Sequence, residues 1–374
     1  MAKRTPYFDV VIVGAGAAGV GMGVVLSQLG VEKFTLVDRH GVGASFEAWP
    51  AEMRFITPSF PSNSFGSVDL NSIAPATSPA FTLRTEHPTG KEYAGYLKAV
   101  ARHFRLPVMN GIDVHEVRAE SPGFTIESSR GPIEAAMVIW AAGEFQYPHL
   151  APFPGAEHCL HNGLVVSWRE IAGDDLIVVG GYESGVDAAV NLTALGKRVR
   201  LLDAHAAWNA ESSEPSTSLA PYTARRLEGA LRSGDLELIG PARVASVERI
   251  EEGYVLRGEK RRKWQTASRP ILATGFRGSL SLVRELFEWT PAGHPLVSQE
   301  ADESTLHPGL FLSGPMIRHG AHVFCFIYKF RQRFAVVAQE IATRLGIDST
   351  PLETYRQAGM FLEDLSCCGA ECVC

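Results

Sequence analysis

The strongest constraint on this chain sits near its start, where Gly14-Ala15-Gly16-Ala17-Ala18-Gly19 separates two segments of opposite character. Before it, Tyr7-Phe8-Asp9-Val10-Val11-Ile12-Val13 is rich in β-branched and aromatic residues, the profile of a buried parallel strand. After it, a small-residue apolar stretch predicts a helix that stops at Gly30. Phe34-Thr35-Leu36-Val37 then gives a second strand ending at Asp38, 24 residues beyond Gly14. This order is that of a dinucleotide-binding βαβ unit. Gly14 permits the tight turn, Gly16 lets a diphosphate approach the backbone, and Gly19 lets helix and strand pack closely. Ala17 and Ala18 open a helix whose free N–H groups face the phosphates, and Asp38 accepts from ribose hydroxyls. Arg39, next to it, is a further candidate contact.

The pattern recurs. Asp175-Leu176-Ile177-Val178-Val179 leads into Gly180-Gly181-Tyr182-Glu183-Ser184-Gly185, followed by a predicted helix from Val186 to Leu195 and a strand from Val199 to Leu202 ending at Asp203. The fold class is therefore α/β, with two Rossmann-like dinucleotide-binding domains, the second inserted in the first. In the second unit Gly180, Tyr182, Ser184 and Asp203 are the candidate nucleotide contacts. Asp203 would repel a 2′-phosphate, favouring NADH over NADPH. Tyr182, however, stands where close backbone approach asks for glycine. Two readings stay open: adapted NADH binding, or a retained scaffold without it.

At 374 residues the chain exceeds the usual ~150-residue domain more than twofold. Hydrophobic residues at 45% and charged residues at 20% fit a globular protein. Lys plus Arg number 35 against 41 Asp plus Glu, and a net charge of −6 argues against a nucleic-acid binder. The local basic run Arg257, Lys260, Arg261, Arg262, Lys263 reads as a solvated hairpin tip. The apolar stretch from Val10 to Leu26 is interrupted by turn glycines and preceded by Asp9, so it is read as the βαβ unit and not as a signal peptide or membrane span. Of six cysteines, Cys159 and Cys325 stand alone while four crowd the last eight residues. That distribution points to a cytoplasmic protein with a specialised tail.

With both units placed, the chain resembles the flavoproteins with two dinucleotide-binding domains, the thioredoxin-reductase and flavin-monooxygenase superfamily. Gly41-Val42-Gly43-Ala44-Ser45-Phe46-Glu47-Ala48-Trp49-Pro50 is similar to the segment that follows the FAD ribose acid in flavin monooxygenases. Met137-Val138-Ile139-Trp140-Ala141-Ala142-Gly143 and Ile271-Leu272-Ala273-Thr274-Gly275-Phe276 resemble the two crossings between the domains. Gly309-Leu310-Phe311-Leu312-Ser313-Gly314 resembles the late strand that returns to the flavin. The resemblance implies FAD in the first unit, with Ser45, Phe46, Trp49, Ala142, Gly143, Gly275, Gly314, Pro315 and Arg318 among its contacts. It also implies an FAD domain over residues 1–160, a nucleotide-type domain over 161–275, an FAD return over 276–346 and a tail over 347–374.

There are departures. Pro315 replaces the acid that most relatives carry, which leaves Arg318, His319 and His322 as candidate replacements at phosphate, flavin or substrate. The monooxygenase fingerprint between the units is not met, because Cys159 follows Phe153-Pro154-Gly155 where its histidine belongs. Cys325 reads as inert packing near the cofactor. A long Pro/Ser/Thr-rich loop from Thr57 to Pro88 is expected to cover the ring system, with Phe46, Trp49, Phe55 and Phe60 as wall residues. A second, from Asn209 to Thr223, is expected beside the nucleotide mouth.

The chain closes on Cys367-Cys368-Gly369-Ala370-Glu371-Cys372-Val373-Cys374. Cys367, Cys368, Cys372 and Cys374 are candidate catalytic thiols, and equally candidate ligands of a soft metal ion such as Cu(I), Zn(II) or Fe–S iron. In position and chemistry the tail resembles the terminal thiol arms of mercuric reductase and large thioredoxin reductases. No internal CxxC accompanies it, so electrons would pass directly from flavin to a tail disulfide, with a homodimer as one arrangement. The expected function is an FAD-dependent oxidoreductase, reduced by NADH and acting on a thiol, disulfide or metal-thiolate substrate. The alternatives are a flavoprotein that binds a metal or partner through its tail, its NAD(P) site vestigial, or an FAD-dependent monooxygenase of a small molecule.

Overall fold

The structure is a computed structural model, and it describes residues 7–61, 68–212 and 214–366. Strand β1 (Tyr7–Val13) lies inside a seven-stranded sheet, with Val10, Val11 and Ile12 buried on both faces. Its neighbours are β2 (Phe34–Asp38) and β6 (Ile133–Trp140), both parallel to it. Beyond β2 comes β3 (Val108–Asn110); beyond β6 come β5 (Gly123–Ser128) and β4 (Val114–Glu120), antiparallel. The C-terminal half of β6 also pairs with the short strand Leu310–Leu312, in register Leu310↔Val138. A segment from far along the chain thus completes the first sheet.

Helix α1 (Ala17–Gln28) is apolar on every side, as a helix buried between layers must be. Its glycines are packing devices: a Cβ on Gly21 would stand 2.1 Å from the ring of Phe334, which opens the helix Phe334–Leu345. Each mid-helix glycine costs about 1 kcal/mol of helix propensity, and close helix–helix contact offsets it. Helix α2 (Gly90–His103) starts directly after Thr89, because Thr89 and Glu92 form a capping box.

Between the two halves of that domain lies a five-stranded parallel sheet, in the order Leu236–Ile239, β9 (Arg198–Leu202), β8 (Asp175–Val179), Ile271–Leu272 and β7 (Leu160–His161). Helix α3 (Glu183–Ala194) follows β8, and helix α4 (Pro221–Leu231) lies beside α3. A three-stranded antiparallel sheet, Val244–Ile250, Gly253–Gly258 and Lys263–Thr266, packs on it, and Lys260, Arg261, Arg262 and Lys263 are exposed at its hairpin tip.

The Thr57–Pro88 stretch is not a simple flap. It holds a short helix, Pro79–Leu83, and a buried Asp69 that accepts from Ser78 Oγ (2.9 Å) and the Ala80 amide (3.0 Å). Arg331 donates to the backbone carbonyls of Asp69 and Ser72. This polar plug satisfies groups that a bare loop would leave unpaired. At the far end, Tyr355 and Met360 are buried, and the Tyr355 hydroxyl donates to Gln28 Oε1 at 2.6 Å. Among the described residues no helix is long and apolar enough to cross a membrane. Cys367, Cys368, Cys372 and Cys374 lie outside the described residues.

Candidate flavin site

The three glycines after β1 do three different things. Gly14 has φ +106°, and a Cβ there would lie 2.5 Å from the Ala141 carbonyl oxygen. Gly19 is pressed on the turn, its would-be Cβ 1.9 Å from the Gly14 carbonyl oxygen. Gly16 has extended backbone (φ −79°, ψ −164°) and faces open space, with nothing within 4 Å of a Cβ. No side chain caps α1, so its first-turn amides have no partner within the helix. Asp38 Oδ2 accepts from the Ala15 amide (2.8 Å), while Oδ1 accepts from the amides of His40 (2.8 Å) and Gly41 (2.6 Å).

A cavity of about 390 Å³ opens from this turn, with Gly14, Gly16, Ala17, Ala18 and Asp38 at one end. Ala44, Ser45, Phe46 and Trp49 continue the wall, and Ala142 and Gly143 reach it from the end of β6. The rings of Phe46, Trp49 and Phe55 form one cluster, with centroid distances of 5.1–5.6 Å. Pro315, Cys325, Phe326 and Phe276 close the far end. An open Gly16, an uncapped helix, a carboxylate at the end of β2 lining the cavity and an aromatic wall fit FAD.

Several expected contacts lie elsewhere. Phe60 is 45% exposed and outside the cavity wall. Arg39 turns away to an ion pair with Asp113 (2.7 Å) and a hydrogen bond to the Tyr147 hydroxyl (3.3 Å). Gly314 (φ +111°) packs on Ala18 without lining the cavity, and Gly275 serves His149 and His161 through its carbonyl. Arg318 donates to the carbonyls of Pro315 and Ile317, both at 2.7 Å. Its charge bears on the cavity residue Glu144, whose carboxyl burial pushes up and Arg318 pulls partly back. His319 is buried on Asp302 (2.6 Å), and His322 lines a separate groove with Ser366.

The second unit repeats the backbone but not the opening. Gly180 (φ +108°) makes the same turn, and Tyr182 at the start of α3 has φ −96° and ψ −165°, close to Gly16. Its phenol bridges to the 209–223 segment, donating to Ser218 O at 2.9 Å. Glu183 accepts from the Ala220 amide (2.6 Å) and Thr223 Oγ1 (2.5 Å), and the Trp208 ring would lie 2.5 Å from a Cβ on Gly181. Asp203 accepts from the amides of Gly181, His205 and Ala207. Burial alone would raise its carboxyl, but these bonds hold it below the ordinary carboxylate value. Gly180, Tyr182 and Asp203 lie outside the cavity, whereas Ser184 lines it. As it stands, the 209–223 segment and the Trp208 ring lie against this mouth.

Three cavity residues from this domain carry no signal in the sequence: Asn162, Glu183 and Asp187. Glu183 and Asp187 are spaced i,i+4 on a helix, which ordinarily marks a solvated face.

Residues 11–314 match the family model described as pyridine nucleotide-disulphide oxidoreductase. The chain belongs to that family. It is 23% identical over 344 residues to bacilliredoxin reductase Bdr of Bacillus subtilis, a match covering 89% of this chain and 97% of that protein. An uncharacterized oxidoreductase CzcO of Bacillus velezensis is 27% identical over 194 residues, 50% of this chain and 52% of that one. The chain thus spans about half the length of the CzcO-type relatives it matches. Bacillithiol disulfide reductase Bdr (YpdA) from Staphylococcus aureus superposes with a TM-score of 0.76 at 18% identity, over 91% of this chain and 99% of that one. A flavin-containing monooxygenase from Stenotrophomonas maltophilia gives 0.70 at 18% identity, over 91% and 100%. These likenesses show the fold. The α/β architecture with its Rossmann-like cores, expected from the two glycine turns, is that of the pyridine nucleotide-disulphide oxidoreductases.

Proposed function

We propose that this member of the pyridine nucleotide-disulphide oxidoreductase family is an FAD-dependent oxidoreductase acting on a thiol or disulfide substrate. One observation carries it: a single cavity runs from the open Gly16 turn to Cys325 and is walled by residues of both domains. Bound there, FAD would supply two-electron redox chemistry. Gly16 and the α1 amides would hold its diphosphate, Asp38 its ribose, and Phe46, Trp49 and Phe55 would keep water from the ring. The match to Bdr along nearly its whole length favours a disulfide over an oxygenated small molecule. So does the missing monooxygenase histidine: Cys159 in its place is buried, its thiol pushed up to about 12.

The tail cysteines Cys367, Cys368, Cys372 and Cys374 enter this reading as exchanging thiols or soft-metal ligands. Support comes from their point of attachment. Arg333 holds the Leu362 carbonyl at 2.6 Å, and Ser366 lies in a groove with His319 and His322. The hairpin Arg318–Val323 runs from that groove to Cys325 at the cavity. Among the described residues no group of His, Cys, Asp and Glu is placed to hold a metal, so a soft metal would fall to the tail. NADH, preferred on account of Asp203, requires the 209–223 segment to leave the second mouth.

The test uses FAD-loaded protein under anaerobic conditions. Titratable thiols and bound metal are counted before and after photoreduction of the flavin, and NADH and NADPH are then compared as reductants. A rise in thiols as reduced flavin reoxidises is expected. An unchanged thiol count, together with no reoxidation by any added disulfide, removes the reading.

A further inference from the structure

The cavity holds polar groups that the FAD reading leaves unused. Asn162 is 1% exposed and lines the cavity, yet neither its Oδ1 nor its Nδ2 has a hydrogen-bond partner. Asp187, 6% exposed, lines the same cavity but is engaged: Oδ1 takes Arg226 at 2.7 Å and the carboxylate also pairs with the buried Trp168 indole, which leaves the two Asn162 atoms as the orphans. Folded proteins rarely bury such atoms unpaired, because each costs about 1–3 kcal/mol. The orphans are also held in place. His161, just before Asn162, accepts from the Gly163 amide through Nδ1 (3.1 Å), and its Nε2 sits 3.1 Å from the Gly275 carbonyl oxygen. The turn Asn162–Leu164 packs against α3, which carries Asp187. An unsatisfied amide on a braced turn in a cavity is what a preorganised binding site requires.

The donor and acceptor inventory selects the ligand. Asn162 offers N–H groups and a carbonyl oxygen. A carboxylate would satisfy only the N–H groups and would face Asp187 and Glu183 in the same wall. An ammonium would satisfy only the acceptor and leave Nδ2 bare. A hydroxyl must serve both roles from one atom, whereas a neutral amide presents them on separate atoms as Asn162 does: its carbonyl accepts from Asn162 Nδ2 while its N–H donates to Asn162 Oδ1.

We infer that Asn162 is a receptor for an amide group of the ligand that enters the flavin cavity. The inference rests on the flavin reading above. An amide could come from the skeleton of a thiol or disulfide substrate, or from a nicotinamide ring. The closed mouth at Tyr182 and Ser218 favours the substrate.

The experiment titrates FAD-loaded, oxidised protein with bis(2-acetamidoethyl) disulfide, bis(2-hydroxyethyl) disulfide and NADH, read by the flavin difference spectrum. Wild type is expected to bind the acetamido compound at least about tenfold more tightly than the hydroxy compound, the worth of a well-made hydrogen bond to a buried group. Asn162→Leu should abolish that preference without lowering the melting temperature, since it removes an unsatisfied buried amide. Asn162→Asp, which keeps the shape but not the donor, guards against a packing effect and should also lose the preference. Weakened NADH binding in both variants, with no acetamido preference in wild type, would assign the receptor to the nicotinamide carboxamide. Wild-type affinities in both variants for all three probes, as expected if Asn162 merely holds water, overturn the inference. Tight acetamido binding without electron transfer to its disulfide would sink the proposed function and leave this receptor standing.

Discussion

The Tyr182 hydroxyl donates to the Ser218 carbonyl at 2.9 Å, at the position where the first unit presents open space over Gly16. The two residues share nearly the same backbone conformation. The difference between an open and a closed dinucleotide turn is therefore a side chain and the strap it holds. That strap is fixed at its other side too, through the Lys329–Glu214 ion pair and Cys325 Sγ to Ser216 Oγ at 3.1 Å.

Tyr182→Gly should accordingly open the second mouth. The residue sits in extended backbone, so glycine needs no rearrangement there. Removing the phenol and its bond is expected to tighten NADH binding about tenfold, or about 1.4 kcal/mol, and to speed anaerobic bleaching of the flavin. Equal affinities in wild type and variant would show that the Tyr182 phenol is no obstacle.

Gly16 and Gly19 make opposite predictions from one motif. Gly16→Ala should cost the apoprotein no more than about 1 kcal/mol, the N-cap preference for glycine, because a Cβ there meets nothing, yet it should weaken FAD binding. Gly19→Ala meets the Gly14 carbonyl oxygen at 1.9 Å and should destabilise the apoprotein by about 1–3 kcal/mol. Urea unfolding of the apoproteins, paired with flavin titration, separates the two effects.

Both turns were legible because they are local: strand, glycines, helix and acid follow one another within some thirty residues. The strand Tyr7–Val13 lies where its β-branched run predicts. What the sequence hid depends on partners far along the chain. Arg39 looks like a nucleotide contact until Asp113 takes it, and His319 like a flavin neighbour until Asp302 does. Helix α3 begins at Glu183, not Val186, and the Glu183 carboxylate accepts from the Ala220 amide just before α4. Asn162 carries no sequence signal at all, because an unsatisfied amide is defined only by the cavity around it.

Glu52 gives a pH test of the joint between the flavin domain and the second domain. Burial alone would raise its carboxyl, but Ser167 Oγ (2.6 Å), the Trp168 amide (2.9 Å) and the Arg169 charge outweigh it and hold the value below 4.5. A carboxyl lowered on folding contributes stability above its unfolded value and loses it as pH falls through the folded one. Wild type should thus lose more stability than Glu52→Gln as pH drops below 4.5, with no difference in slope near neutrality. Parallel thermal melts over the acid range would show whether the two curves converge.

A second carboxylate tests what holds the tail's anchor. Asp302 is fully buried, receives Arg333 Nε (3.0 Å) and Nη2 (2.9 Å), and pairs with His319 at 2.6 Å. Its φ of +53° is left-handed, a conformation that Asn accepts more readily than most residues. Asp302→Asn should therefore keep the backbone while leaving the Arg333 charge buried without its counter-ion, a loss of about 3–5 kcal/mol. The neighbouring Glu303–Arg344 pair is partly solvated, and Arg344→Gln should cost no more than about 1 kcal/mol. Because His319 opens the hairpin that leads to Cys325, Asp302→Asn should also speed labelling of the Cys325 thiol, whereas Arg344→Gln should not. Labelling followed by peptide mass analysis distinguishes Cys325 from the tail cysteines. Equal labelling rates in both variants would mean that the Asp302 cluster stabilises the domain without governing the hairpin.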